Sequence, residues 1–247
     1  MRLTIKTKLL GGFTVILLLL GLTSYMGLTG MSTINHEMDT ITGKIYKKVL
    51  LALEIEQNML EAIREQKSFL LASDSQEIAS RVEAANKAVK TVEGLRDKLR
   101  EADQGQGRAA LERFSNYWEQ FVGVNKEIEA QALRGAKAAE SDLEAGRRAA
   151  LTLANGKGQE SFRSAQAIID EIVEHNEKEM DVSSRGADEA YAHSHLIMLI
   201  VLGVSIAFGV GLSLWLAMSI SKGLGKAVGL ADTIALGDVS HTLDIRQ

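Results

Sequence analysis

The chain holds 247 residues with a formal net charge of −4, and it contains neither cysteine nor proline. Lack of cysteine excludes disulfides and thiol chemistry, and the mild, interleaved charge lacks the basic stripe of a nucleic-acid surface. Proline averages about 5% of residues and breaks helix interiors at roughly 3 kcal/mol, so its absence favours long helices. The alternating β-branched runs that mark strands are also missing.

Residues 1–8 carry Arg2, Lys6 and Lys8 without an acid, and an uncharged apolar span follows from Leu9 to Met31. A second such span runs from Leu196 to Met218. Each has about 23 residues, where about 20 suffice to cross a hydrocarbon core of ~30 Å as a helix. A cleaved secretory signal is the alternative for the first span. Its length exceeds the usual apolar run of about 7 to 15 residues, so a signal anchor fits better. Lys222 and Lys226 follow the second span, and the positive-inside rule puts both flanks in the cytoplasm. The segment 32–195 is then one extracytoplasmic domain.

Within that domain, Ile34, Met38, Ile41, Ile45, Ala52, Ile55, Met59 and Ala62 recur in steps that make one helical stripe. Ala72-Ser73-Asp74-Ser75 predicts a stop, with Ser73 or Asp74 capping a second helix and Glu77 placed for a capping box. The second stripe is Ile78, Val82, Ala85, Val89, Val92, Leu95 and Leu99, ended by the glycines at 105 and 107.

A third stripe comprises Leu111, Phe114, Trp118, Phe121, then Val124 or Asn125, and Ile128. An unbroken helix from Arg108 to Ala154 would be about 70 Å long against about 43 Å for the second, at 1.5 Å per residue. A break is therefore expected at Arg134-Gly135, leaving Ala136 to Ala154 as a separate piece with no docking site evident. Asn155-Gly156-Lys157-Gly158 is the next breaker, before a fourth stripe of Phe162, Ile168, Ile169, Ile172 and Val173. The expected fold is all-α: an antiparallel four-helix bundle between two transmembrane helices.

No nucleophile elbow, HExxH or phosphate-binding glycine loop occurs, so an enzyme is not expected and no cofactor is implied. Glu171 and His175 are four apart, but they lie in an acidic run that reads as a solvated helix face, so no metal site is assigned. Arg64 and Lys67, followed by Phe69, are the candidates for binding a carboxylate; the competing reading pairs Arg64 with Glu61 or Glu65 across an ordinary surface. Ser205, Gly209 and Ser213 recur at a spacing that permits close helix approach in a membrane. Trp215 fits an interfacial aromatic belt.

Beyond the second span, Ser219-Ile220-Ser221-Lys222-Gly223-Leu224, the apolar positions Val228, Ala231 and Ile234, and Gly237-Asp238-Val239 resemble the first helix and connector of a HAMP domain. Gly223 departs from the pattern, standing where that family usually has proline. Arg64-Glu65-Gln66-Lys67-Ser68-Phe69-Leu70-Leu71-Ala72-Ser73-Asp74 is similar to the close of the first sensor helix in methyl-accepting chemotaxis proteins.

The resemblance implies a homodimeric bacterial inner-membrane receptor with its sensor domain periplasmic or extracellular. Its signal would be a small-molecule ligand or a periplasmic binding protein. Gly223, Leu224, Val228, Ala231, Ile234, Gly237 and Asp238 would form the relay in a partial HAMP domain, 219–247. The resemblance further implies that a cytoplasmic kinase and adaptor are reached only through a part after Gln247, and that no nucleic acid is bound. A histidine kinase or cyclic-dinucleotide enzyme shares such a front end. A membrane-anchored helical scaffold that binds a protein partner is the reading from another class.

Overall fold

The computed structural model describes residues 5–103, 105, 107–135 and 140–235, and among them it is all-α. The helices are α1 (Ile5–Asp39), α2 (Tyr46–Leu71), α3 (Ser75–Ala102), α4 (Gly107–Gly135), α5 (Glu140–Leu153) and α6 (Gln159–Ala235). Two π-helical turns, Thr40–Ile45 and Ala154–Gly158, lie between α1 and α2 and between α5 and α6. The chain forms two compact units, one of residues 37–185 and one of residues 1–36 with 186–247.

The 37–185 unit is a four-helix bundle of α2, α3, α4 and the first part of α6. Its antiparallel order is visible in the polar pairs. Arg81 of α3 reaches Glu65 of α2 at 3.1 Å, and Lys48 and Glu56 of α2 meet Glu179 and Gln166 of α6. Between α3 and α4, Asn86 meets Glu129 and Arg100 meets Ser115. In α2 with α6 and in α3 with α4, numbering climbs on one helix as it falls on the other.

The stripes read from the sequence form the core. All seven apolar positions of the α3 stripe are buried, and Trp118, Phe114 and Phe121 are among the largest side chains fully enclosed. Phe114, Trp118 and Phe121 stack in a column and Phe162 meets Phe121 edge-on, with successive ring centroids 4.9 to 6.1 Å apart. Burying each such ring stabilises the fold by about 1.5 to 3 kcal/mol. Trp118 Nε1 has no partner among the described residues, which offsets part of that gain.

Asp74, the cap of α3, accepts from the Glu77 backbone N–H at 2.9 Å. Of the expected first stripe, Ile45, Ala52, Ile55, Met59 and Ala62 are buried and Ile34 and Ile41 half-buried, whereas Met38 is exposed. The π turn at Thr40–Ile45 interrupts the helical register between Met38 and the buried positions.

The expected break falls where α4 ends, at Gly135. α5 then packs beside α4: Ala150 is fully buried with Phe69, Leu70, Ile78 and Ile128, and Arg147 donates to the Ala72 carbonyl at 2.7 Å. This positions the piece whose docking could not be read from sequence. The Asn155–Gly158 breaker is a kinked π turn, in which Gly156 leaves helical geometry at φ −96° and ψ −108°.

In the other unit, α1 and the C-terminal part of α6 run antiparallel. Lys8 Nζ lies 3.3 Å from Ser219 Oγ and 5.0 Å from the centre of the Trp215 ring. Gly12 sits against Leu212 and Gly30 against Ser194, so closely that a Cβ at either glycine would collide. The tight approach is thus supplied by glycines of the first span. In the second, Ser205 and Gly209 are half-buried but Ser213 is exposed, and both serine hydroxyls donate to carbonyls of their own helix. Leu10, Phe13, Leu17, Leu18, Leu202, Ile206 and Leu214 are exposed on the outer faces, and both helices are long and apolar enough to cross a membrane.

Candidate functional site

The bundle core is divided by a layer of buried polar side chains. One apolar cluster holds Ala52 to Ala62, Ala88 to Leu99, the aromatic column and Ile169; the other holds Phe69, Ala85, Ile128 and Ala150. Between them Gln66 Nε2 donates to Asn125 Oδ1 at 2.7 Å, and Asn125 Nδ2 donates to Glu129 Oε1 at 2.7 Å. Asn86 Nδ2 donates to the other Glu129 oxygen at 3.2 Å. The chain of bonds links α2, α4 and α3 and ends on a carboxylate.

Burial pushes the Glu129 carboxyl above its ordinary pKa, opposed by the Asn86 hydrogen bond and by the charge of Lys126. Gln66 and Asn125 are each about 2% exposed, so losing one partner would strand the other in a site that water does not reach.

Beside this layer lies a cleft of about 200 Å³ between α2, the end of α5 and the start of α6. Ile63, Leu70, Leu71, Leu151 and Ala154 give it apolar walls, and Gln66, Lys67, Asn155 and Gln159 supply polar groups. Such a cavity has room for a ligand of a few heavy atoms more than benzene, which occupies about 150 Å³ in an engineered apolar cavity. An apolar body with a few convergent polar contacts is the usual form of a small-molecule site.

The three residues singled out in the sequence go to three environments. Arg64 is exposed and ion-paired with Glu61 and, at 3.7 Å, with Glu65. Lys67 lines the cleft, and among the described residues it forms no ion pair. Phe69 is buried in the apolar cluster at that end of the bundle, 1% exposed, and offers no surface to a ligand. The structure therefore does not gather Arg64, Lys67 and Phe69 into one site.

The polar layer was missed by sequence reasoning, although a signal for it existed. Gln66 follows Ala62 by four residues, and Asn125 and Glu129 fall at four-residue steps after Phe121. Polar residues on an apolar stripe are the sequence mark of a buried polar layer. Of the relay residues, Gly223 lies within helical α6 with open space around it, and Leu224, Val228 and Ala231 are exposed there. Ile234 lies in α6, while Gly237 and Asp238 fall outside the described residues.

The described residues thus form an antiparallel helical bundle with a polar seam and a side cleft, on a chain with two membrane-length apolar helices. Residues 2–191 match the family described as a four helix bundle sensory module for signal transduction, and the chain belongs to that family. No curated protein matches the chain.

Proposed function

We propose that this chain is the sensory front end of a transmembrane chemoreceptor, with α1 and α6 crossing the membrane and the 37–185 bundle exposed outside the cell. The observation that carries the reading is the family match over residues 2–191 together with two helices of membrane length. Support for the orientation comes from Lys8, which meets Trp215 and Ser219, so a cation and an interfacial aromatic share one end of the helix pair. With Lys6 and Lys222 nearby in sequence, that end has the character of a cytoplasmic boundary.

In this reading a small carboxylic acid enters the cleft beside the polar layer, its carboxylate on Lys67 and its apolar part against Ile63, Leu70 and Leu151. The bundle then shifts between two packings. A helix displacement of about 1 to 2 Å is the usual scale of such changes. α6 carries the shift through the membrane toward Leu224, Val228, Ala231 and Ile234 as the start of a HAMP relay, in a homodimer whose output lies beyond the relay.

The chain's lack of cysteine makes the topology directly testable. Single cysteines at Ser73 and Ser221 are reacted in intact bacterial cells with a membrane-impermeant maleimide. The proposal expects Ser73→Cys to label from outside and Ser221→Cys to label only after permeabilisation. The reverse pattern, or equal labelling of both, overturns it.

A further inference from the structure

At the opposite end of the bundle from the Lys67 cleft, a cavity of about 320 Å³ lies between the start of α4 and about two turns of α6. Gly107, Ala110 and Ile172 form its apolar walls, and Glu171, Glu174, His175, Asn176 and Lys178 line the rest. Asn176 is the unusual member. Its side chain is 1% exposed, and its Nδ2 donates to the Ile172 carbonyl at 2.7 Å. That bond fixes the amide orientation, since turning it over would set oxygen against oxygen. Asn176 Oδ1 is then a buried acceptor with no donor among the described residues.

An unmet buried acceptor is destabilising, so a donor that reaches it stabilises the fold. The surrounding groups indicate which kind. Glu171 accepts from Arg113 through Oε1 at 2.6 Å, and Glu174 accepts from Lys178 through Oε1 at 2.6 Å. No hydrogen bond to the second oxygen of either carboxylate occurs among the described residues. The Lys178 ammonium, hydrogen-bonded to Glu174, holds its carboxyl below the ordinary carboxylate range. The cavity wall thus carries two anionic acceptors that are more than half exposed, beside the Lys178 ammonium, with Asn176 Oδ1 buried behind them.

We propose that this cavity binds a protonated primary amine, whose N–H groups donate to Asn176 Oδ1 and to the Glu171 and Glu174 carboxylates while its carbon chain lies along Ala110 and Ile172. The ammonium supplies three donors and a positive charge, matching one buried neutral acceptor and two carboxylates. The site shares no residue with the Lys67 cleft and does not rest on the chemoreceptor reading.

The test uses the full chain in lipid nanodiscs, with thermal unfolding followed in increasing n-propylammonium chloride or tetramethylammonium chloride at matched ionic strength. The second cation has the same charge and no N–H. The expected result is a saturable rise of the unfolding midpoint with propylammonium and none with tetramethylammonium. Asn176→Leu abolishes the rise. Should that variant fail to fold, Ala110→Leu, which fills the cavity from α4, abolishes it instead. Equal rises with both cations, no rise with propylammonium, or an undiminished rise in the folded variant would each overturn the proposal. Water as the sole donor to Asn176 corresponds to the second of these outcomes.

Discussion

Gln66 on α2 and Asn125 on α4 are joined by a 2.7 Å hydrogen bond across the bundle, each side chain about 2% exposed. The bond fixes the register of the two helices, because a slip of one residue would bury both amides against apolar neighbours. Replacing Gln66 with Leu leaves Asn125 Oδ1 unpaired at an expected cost of about 1 to 3 kcal/mol. The double replacement Gln66→Leu with Asn125→Leu should cost less than the sum of the singles, since it removes both partners. Chemical denaturation of the full chain and its three variants in detergent checks this; full additivity would show that the pair is not coupled.

Glu129 ends the same chain of bonds and gives it a pH dependence. Its carboxyl pKa is raised in the folded protein, so the fold binds this proton more tightly than the unfolded chain does. Stability contributed by the protonated group is therefore fully present below the unfolded pKa and falls as pH rises through the folded pKa. Other carboxylates titrate in the same window, so the observable is a difference. Subtracting the stability curve of Glu129→Gln from the wild type should leave a component that decreases with pH above the ordinary carboxylate range and then levels off. A component that increases with pH would contradict the assignment.

Local signals are also open to test. Asp74 caps α3 through the Glu77 amide, and Asp74→Ala should cost about 1 kcal/mol. Asp74→Asn keeps an acceptor and should recover most of it. Ser73 is exposed beside the cap and makes no capping bond, so Ser73→Ala should be within about 0.5 kcal/mol of wild type in the same denaturation series.

The degree to which this fold was legible follows from what each signal encodes. The α3 stripe could be read completely because 28 regular helical residues keep one face toward the core. The break at Gly135 followed from matching helix lengths, a constraint that antiparallel packing imposes. The π turn at Thr40–Ile45 left no such trace: with no proline and a single internal glycine, its sequence looks like continuing helix, although Met38 before it is exposed.

The candidate site was legible in part. Lys67 borders a cleft because α5, folding back along α4, brings Leu151 and Ala154 beside α2, and no periodicity within either helix encodes that return. Phe69 shows the converse. An aromatic following two cations looked like a ligand contact, yet its position on the apolar face of α2 sends it into the core.

Ligand sensing by the Lys67 cleft is measured by coupling the 247-residue chain to a cytoplasmic kinase-controlling domain in living cells. Kinase output is recorded while small carboxylic acids are added outside. At least one acid should change the output, and Lys67→Ala should raise its half-effective concentration about tenfold, the equivalent of roughly 1.4 kcal/mol. Arg64→Ala, whose guanidinium is engaged by Glu61 and Glu65, should leave it within about twofold, under ~0.5 kcal/mol. A hybrid that reaches the membrane and answers none of the acids, or one whose response is indifferent to Lys67, would contradict sensing by this cleft.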